Sequence, residues 1–306
     1  MSTLPTMPPE QVVRKQRIKN FAYALVGGTS FFSGLTWAKT SLSAGPSLRI
    51  LIYYKVNAVP GNTLSVPPRA FARQLHFLKD HFTVITPEDL VRIMTARQTL
   101  PDHAVLLTFD DGYRDVYDQA YPVLKELGLR ALLFPATDYI ASGKPYPHDE
   151  RLSMDNPVLN WEQLRAMQDV FAVGSHTKSH RRLTQVSLAE AKDEIYSSKA
   201  LLEDQLSQPV QFFCYPKGTA EDFNEPLEDL VREAGYLSSF VALTGPNTLD
   251  RVRSCKWLRR FQAEPFEDFM FARLLDGSCD AIGFKDAGWG CSAKRAFNRL
   301  LRTSTG

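Results

Sequence analysis

The stretch AVLLTFDDG, residues 104–112, decides the fold class, because a run of apolar residues ends in two adjacent carboxylates. Continuous apolar runs of this kind are typical of strands that are covered on both faces, as in a parallel sheet. Two carboxylates at the end of a buried strand are costly unless something there uses their charge. We therefore expect Asp110 and Asp111 to belong to a functional site in an α/β fold.

A second segment, FAVGSHTKSH at residues 171–180, has the same form, with an apolar stretch leading into His176 and His180. Four positions separate the two histidines, so one helical turn would place both rings on the same side. The chain has six histidines, and none follows His180. One carboxylate and two histidines are the three protein ligands of a catalytic metal site whose remaining position is open for water. The two segments together predict a metal-dependent hydrolase.

The two adjacent carboxylates are expected to have different roles. A carboxylate bound to a metal loses basicity, whereas an unbound neighbour within hydrogen-bond reach can take a proton from the nucleophilic water. The alternative is an Asp-Asp-Gly turn with solvated acids, which is a frequent turn composition.

Length and charge restrict the remaining choices. A chain of 306 residues forms one large α/β domain or two small ones, and a net charge of +2 does not indicate a nucleic-acid partner. Both ends are basic, at residues 10–20 and over the last 22 residues. These ends suit peripheral contact with an anionic membrane surface, and solvated tails are the alternative.

Four cysteines occur without a CxxC pair, which favours free thiols, with a Cys279–Cys291 bridge as the alternative. Eighteen uncharged residues at 21–38 follow the basic N-terminal stretch. They predict a cleaved signal peptide, an uncleaved anchor or an amphipathic helix lying on a membrane or on the domain.

Seven strand candidates alternate with helix-like segments over residues 47–275, which predicts a distorted (β/α) barrel of about seven parallel strands. An open doubly wound sheet is the alternative. Residues 1–46 are expected to form a basic N-terminal segment with a weakly apolar helix, and residues 276–306 a basic C-terminal extension. The strand candidates are Leu48–Tyr54, Val105–Phe109, Ala131–Pro135, Phe171–Ser175, Val210–Tyr215, Leu237–Leu243 and Trp257–Phe261.

Polar residues follow several of these strands, at the carboxyl ends where parallel barrels build their active sites. Asp110 and Asp111 follow one strand, Thr137 and Asp138 follow the next, and His176 and the segment 215–218 follow two more. The convergence supports a barrel with one active-site end.

The motifs TFDDG at 108–112 and SHTKSH at 175–180 resemble the polysaccharide deacetylase family, also called the NodB-homology domain. The similarity extends from about residue 48 to about residue 271. It implies removal of acetyl groups from N-acetylated, less often O-acetylated, sugars, with Asp110 as the base. It also implies that Asp111, His176 and His180 hold a divalent metal ion, zinc first, with cobalt, manganese or nickel as alternatives. An oxyanion donor is expected at the backbone N–H of Lys217, which follows Pro216.

The sequence departs from the family pattern in several positions. Many members have an Arg two residues before the Pro of the third motif, where this chain has Cys214, and Arg260 is a candidate replacement partner for Asp110. No general-acid His occurs late in the chain, so the proton for the leaving amine is expected from Asp110, from a metal-bound water or from His148, placed in a Pro-rich loop. Tyr54 stands where relatives often have His.

The leading hypothesis is a metal-dependent hydrolase that removes N-acetyl groups from a polymeric or lipid-linked amino-sugar glycan of the cell envelope. A catalytically weak carbohydrate-binding member of the same fold is the alternative, because the third-motif Arg and the late His are missing. A phosphoester or non-sugar amide hydrolase on the same metal ligands is a third hypothesis. The expected location is the cell envelope or a membrane surface, with the cytoplasmic face or the cytoplasm as the alternative.

Overall fold

Seven parallel strands form a distorted barrel in the computed structural model, which describes residues 46–58, 64–151, 156–278 and 280. The barrel strands are β1 (Ser47–Tyr53), β3 (Ala104–Asp111), β4 (Ala131–Pro135), β5 (Phe171–Val173), β6 (Phe212–Cys214), β7 (Ser238–Val241) and a split last strand, β9 (Leu258–Arg259) with β10 (Phe261–Gln262). The predicted barrel and its seven strands are confirmed.

The split last strand closes the barrel by changing its neighbour. β9 pairs with β7, whereas β10 pairs with β1, and Arg260 lies at the break between them. On the other side, β5 and β6 are joined by the single parallel bridge between Ser175 and Phe213. The break matters for the site because it lets the side chain of Arg260 enter the barrel.

Helices cover the outside of the barrel. The two longest are α1 (Pro68–His81) and α7 (Leu188–Leu206). The others are α2 (Pro87–Met94), α3 (Tyr121–Leu127, preceded by a π-helical turn at Val116–Ala120), α4 (Thr137–Ser142), α5 (Pro147–Arg151), α6 (Trp161–Ala166), α8 (Glu225–Glu233), α9 (Leu249–Arg253) and α10 (Asp268–Leu275), with a 3₁₀ turn at Leu183–Gln185.

Local sequence signals start or end several of these helices. Thr86, Asn160 and Ser187 each cap a helix with their side chain, and each forms a reciprocal capping box with the residue three positions on. Gly128 ends α3 in the left-handed conformation, at φ +66°. These caps satisfy backbone groups that would otherwise lack partners at the helix ends.

Alternation along the strands divides the core in two. Leu107 and Phe109 of β3 pack with residues of the outer helices, such as Phe71 of α1. Leu106 belongs to a second cluster, together with Phe134 and residues of α2. All eight residues of β3 are buried, so the carboxylates at its end are held by a rigid strand.

The Pro-rich segment around His148, predicted as a loop, contains the short helix α5, so the placement of His148 in a loop was wrong. His148 lies in the first turn of α5, because Pro147 is the first helical residue and acidic residues follow it. Two short strands were also not predicted, β2 (Thr83–Val84) and β8 (Asn247–Thr248), the latter antiparallel to β1. Two residues are too few to give a periodic signal.

Several predictions fall outside the described residues, namely the apolar segment 21–38, the extension from 281 to 306 and the Cys279–Cys291 bridge. Cys214 and Cys255 are free thiols. Within the described ranges, no helix has the length and apolar character needed to cross a bilayer.

A pH-dependent contribution to stability is predicted at Asp115, which follows β3 and accepts a hydrogen bond from Asn57 at 2.6 Å. Burial raises the pKa of Asp115 to about 6. Because the folded-state pKa is raised, the stability linked to this group is full below its ordinary pKa and is lost as the pH rises through 6. Asp115→Asn is expected to stabilise the protein at pH 8 by about 1–2 kcal/mol, and by much less at pH 4.

Urea unfolding at pH 4, 6 and 8 measures this difference. Asp102→Asn, at an exposed carboxylate just before β3, is the control and should change little at any pH. A variant at Asp115 that is less stable than the parent protein at pH 8 would contradict the prediction.

Candidate active site

The end of β3 makes a tight turn that separates the two aspartates. Asp111 has φ +69° and Gly112 has φ +76°. A Cβ on Gly112 would lie 3.0 Å from Cβ of Pro135, so both the positive φ and the close approach require glycine there. The turn places the carboxylates of Asp110 and Asp111 in different surroundings.

Asp110 forms a buried, bidentate ion pair with Arg260. Nη1 of Arg260 donates to Oδ1 at 2.7 Å, and Nη2 donates to Oδ2 at 2.8 Å. The two side chains are 2% and 1% exposed. Arg260 also donates to the hydroxyl of Thr108 and to the carbonyl of Val241, and its guanidinium lies near the rings of Phe134 and Phe240. The guanidinium therefore fixes the position of the Asp110 carboxylate.

Cys214 lies beside this ion pair. Its Sγ atom is 2.9 Å from Nη2 of Arg260 and 3.7 Å from Oδ2 of Asp110. Cys214 thus stands next to the ion pair, at the position where many family members have the Arg. In this chain the guanidinium that pairs with Asp110 comes from the last strand.

Asp111, His176 and His180 bring three ligand atoms together, all within 4.8 Å of one another. Oδ1 of Asp111 lies 3.5 Å from Nε2 of His176 and 3.2 Å from Nε2 of His180. This oxygen is buried and has no hydrogen-bond partner among the described residues. A buried carboxylate oxygen facing two imidazole nitrogens is the donor set of a divalent metal site, so these three residues fit the ion that the sequence predicted.

The pKa shifts of Asp111 and His180 suit metal ligands. Burial raises the pKa of Asp111, but His180 and His176 outweigh it and hold this pKa well below its usual range. Burial lowers the pKa of His180, which favours the neutral imidazole that a ligand must be. The pKa of His176 is raised well above its ordinary value, against burial, by Cys214 and Asp111, so a metal on His176 would have to displace a proton. Nδ1 of His176 is 2.8 Å from the carbonyl oxygen of Cys214, so Nδ1–H donates there and Nε2 is the nitrogen that a metal would bind.

A second group of ligand types, Asp110, His176 and Cys214, also lies within 4.8 Å. Both oxygens of Asp110 accept hydrogen bonds from Arg260, and the same guanidinium contacts the Cys214 sulfur. A fixed positive charge there opposes binding of a cation. The first group is therefore the better metal site.

Glu194 on α7 holds the loop between the two histidines. Its Oε2 accepts hydrogen bonds from the backbone N–H groups of Lys178 at 3.0 Å and Ser179 at 2.8 Å, and Oε1 accepts from the Ser179 hydroxyl. Thr177 and His180 have positive φ, and the Thr177 hydroxyl accepts from the N–H of His180. A buried carboxylate thus keeps the ligand loop in an otherwise unfavourable conformation.

The turn after β6 lies at the same end of the barrel. Lys217 and Gly218 have φ +66° and +60°, and the carbonyl of Gly218 accepts from the N–H of Ala242. Burial, and to a smaller extent the positive charge of Lys217, lowers the pKa of both His180 and His148. The predicted oxyanion donor thus belongs to a fixed turn at the rim of the site.

Helix α5 brings His148 to this rim. The Tyr146 hydroxyl donates to the backbone carbonyl of Asp111 at 2.6 Å, and its ring packs against His180, with centroids 5.2 Å apart. Asp149 forms an ion pair with Lys55 at 2.6 Å, and both side chains are 1% exposed. His148, between these two anchored residues, has a 25% exposed side chain.

Tyr54 is a further polar group at the site. It directly follows β1, beside β3, and burial and the charges of Asp110 and Asp111 raise the pKa of its phenol. Its hydroxyl therefore stays protonated and is available as a hydrogen-bond donor.

The structure brings together, at one end of the barrel, the central residues predicted from the sequence: Asp110, Asp111, His176, His180, Cys214 and Arg260. Sequence reasoning missed the supporting residues Lys55, Tyr113, Tyr146, Asp149 and Glu194. Only their burial and their partners, which are distant in sequence, reveal them.

Comparisons with known proteins agree with this site. Residues 97–238 match the family model for polysaccharide deacetylases. YxkH of Bacillus subtilis (strain 168), whose name describes it as a polysaccharide deacetylase, is 30% identical to this chain over 231 residues. The matched residues are 75% of each protein. The chain therefore belongs to the polysaccharide deacetylase family.

More distant relatives extend this comparison. The poly-β-1,6-N-acetyl-D-glucosamine N-deacetylase of Escherichia coli (strain K12) is 24% identical over 190 residues, which are 58% of this chain and 26% of that protein. Among solved structures, the Streptococcus pyogenes deacetylase PplD in complex with acetate matches with a TM-score of 0.65 at 26% identity, covering 76% of this chain and 99% of that one. IcaB from Ammonifex degensii has a TM-score of 0.63 at 22% identity, covers 77% of this chain and 98% of that one, and supports the fold alone.

Removing Glu194 is predicted to weaken metal binding, although Glu194 is not a ligand. Glu194→Ala removes the hydrogen bonds that hold the loop between His176 and His180. Binding of zinc must then also order this loop, which costs free energy. We expect zinc affinity to fall about tenfold or more. Calorimetric zinc titration of the apoprotein measures this.

Asp193→Ala is the matched control, because Asp193 contacts the same loop only through an exposed ion pair with Lys178 at 3.2 Å. It should bind zinc as the parent protein does. Equal zinc affinities for Glu194→Ala and the parent protein would show that Glu194 does not organise the ligand loop.

Proposed function

We propose that this chain removes N-acetyl groups from an amino-sugar polysaccharide or lipid-linked glycan by metal-dependent hydrolysis. The observation that carries the proposal is the division at the end of β3. Asp111 faces His176 and His180, whereas Asp110 is kept apart by its ion pair with Arg260. One carboxylate can thus hold a metal while the other stays off it, the arrangement that hydrolysis by an activated water requires.

Membership of the family supports deacetylation as the reaction class. Two kinds of relatives, from Escherichia coli and Staphylococcus aureus, are named as poly-β-1,6-N-acetyl-D-glucosamine N-deacetylases. The chain spans about a quarter of the Escherichia coli protein, at 26%, and 66% of the Staphylococcus aureus protein. We infer a related N-acetylated glycan as the substrate.

A divalent ion held by Asp111, His176 and His180, most simply zinc, would lower the pKa of a water molecule and polarise the acetyl carbonyl. Asp110 accepts the proton of the attacking water, while Arg260 holds its carboxylate in place. The backbone N–H of Lys217 donates to the oxygen on which negative charge develops.

Proton delivery to the leaving amine is assigned to Asp110, which has just received a proton. His148 is the second candidate. Burial lowers the pKa of His148 below its ordinary value, so its ring is mostly neutral at neutral pH and is a poor acid. This favours Asp110 as base and acid in turn.

A location at the cell envelope, with peripheral membrane contact, is part of the proposal. It is supported by the basic residues of the N-terminal segment and by the kind of substrate inferred.

Acetate release from an N-acetylglucosamine oligomer by the zinc-loaded protein tests the proposal. Asp110→Asn should lower kcat/KM at least about 100-fold, because general-base catalysis typically contributes that much or more. Zinc affinity should stay within a few-fold, since Asp110 is not among the ligands. Asp118→Asn, at an exposed position, is the control and should keep full activity.

Equal rates for Asp110→Asn and the parent protein would remove Asp110 as the base. Zinc binding without acetate release from any acetylated glycan would favour the carbohydrate-binding alternative. Release of phosphate from a phosphoester, without acetate release, would favour the third hypothesis.

A further inference from the structure

Helix α5 places one imidazole at the rim of the candidate metal site, between two buried residues. Tyr146 and Asp149, on either side of His148, are 0% and 1% exposed. Tyr146 is fixed by the Asp111 carbonyl and by stacking on Tyr139, with ring centroids 4.0 Å apart. Asp149 accepts hydrogen bonds from Lys55, Asn156 and Tyr113. The backbone of His148 therefore cannot move without breaking contacts on both sides.

The ion pair between Lys55 and Asp149 joins the end of β1 to α5 across 94 positions of sequence. Lys55 also lies over the ring of Tyr113, 4.2 Å from its centroid. Replacing a buried ion pair by apolar residues of similar volume is often neutral or stabilising. A contribution to stability is therefore a poor explanation for the Lys55–Asp149 ion pair. Its position next to His148 suggests that the ion pair positions His148.

The single hydrogen of the Tyr113 hydroxyl determines which ring nitrogen of His148 is protonated. The Tyr113 oxygen lies 2.8 Å from Oδ2 of Asp149 and 2.9 Å from Nε2 of His148. A phenol has one hydrogen, and a carboxylate can only accept, so this hydrogen goes to Asp149. The contact with His148 then needs a hydrogen on Nε2, which donates to the Tyr113 oxygen. In the neutral ring, Nδ1 is left as an acceptor.

We propose that Lys55, Asp149 and Tyr113 hold His148 in the Nε2–H form, so that its Nδ1 atom accepts a hydrogen bond from a hydroxyl group of the bound glycan. The substrate part of this inference rests on the proposed function. Lys55, Asp149 and Tyr113 are positioning residues, and His148 is the residue that contacts the substrate. Sugar hydroxyls are donors that an imidazole with a free nitrogen can recognise.

Nuclear magnetic resonance of the zinc-loaded full chain, labelled with ¹⁵N at histidine, tests the first part without substrate. The signals of His148 are those that disappear in His148→Gln. We expect a protonated Nε2 whose hydrogen exchanges slowly with solvent, and an unprotonated Nδ1. Tyr113→Phe should make this hydrogen exchange rapidly. Tyr139→Phe, another phenol of the same cluster, should leave it unchanged.

Kinetics test the second part. Tyr113→Phe should raise KM for the N-acetylglucosamine oligomer about fivefold, the value of one hydrogen bond, and change kcat by less than about twofold. A Tyr113→Phe variant whose kcat falls while its KM stays unchanged would contradict a role of His148 in substrate binding.

A protonated Nδ1 with a bare Nε2 in the parent protein would overturn the proposal, even if Tyr113→Phe does not fold. So would a slowly exchanging Nε2–H that survives Tyr113→Phe. Absence of acetate release in the parent protein would refute the proposed function and leave the assignment of the His148 hydrogens standing.

Discussion

The buried ion pair between Asp110 and Arg260 is the interaction on which the site and the closure of the barrel both depend. Arg260 lies where the last strand changes its neighbour from β7 to β1, and its guanidinium spans the barrel interior to the end of β3. Removing one partner of such a pair leaves an uncompensated buried charge and typically costs about 3–5 kcal/mol. The strand that closes the barrel is therefore tied to the strand that carries both carboxylates.

This ion pair also explains how two adjacent carboxylates take separate roles. The guanidinium occupies both oxygens of Asp110 and opposes a cation beside Cys214, so Asp111, which turns away at a positive φ, is the carboxylate that faces the two histidines. The other elements of the site are each held by a buried charged residue. Glu194 holds the histidine loop, and Lys55 with Asp149 holds the helix that carries His148. The chemistry thus depends on charges that are buried but paired.

Much of this could be predicted from the sequence, because the signals are local. Continuous apolar runs give the strands, capping residues give several helix starts, and the spacing of His176 and His180 gives the ligand pair. Cys214 in place of the usual Arg pointed to a replacement, and Arg260 is in ion-pair contact with Asp110. The supporting network could not be predicted, because Lys55 and Asp149 are 94 positions apart and resemble surface charges. Helix α5 was missed because five residues give too little periodicity.

The most direct test of the central claim is a crystal structure of the zinc-loaded protein with anomalous data at the zinc edge. The account predicts one ion bound by Asp111, His176 and His180 at about 2.0–2.2 Å. It also predicts that Asp110 remains paired with Arg260 and does not bind the ion. An ion bound by Asp110 or by Cys214, with Arg260 displaced, would contradict it.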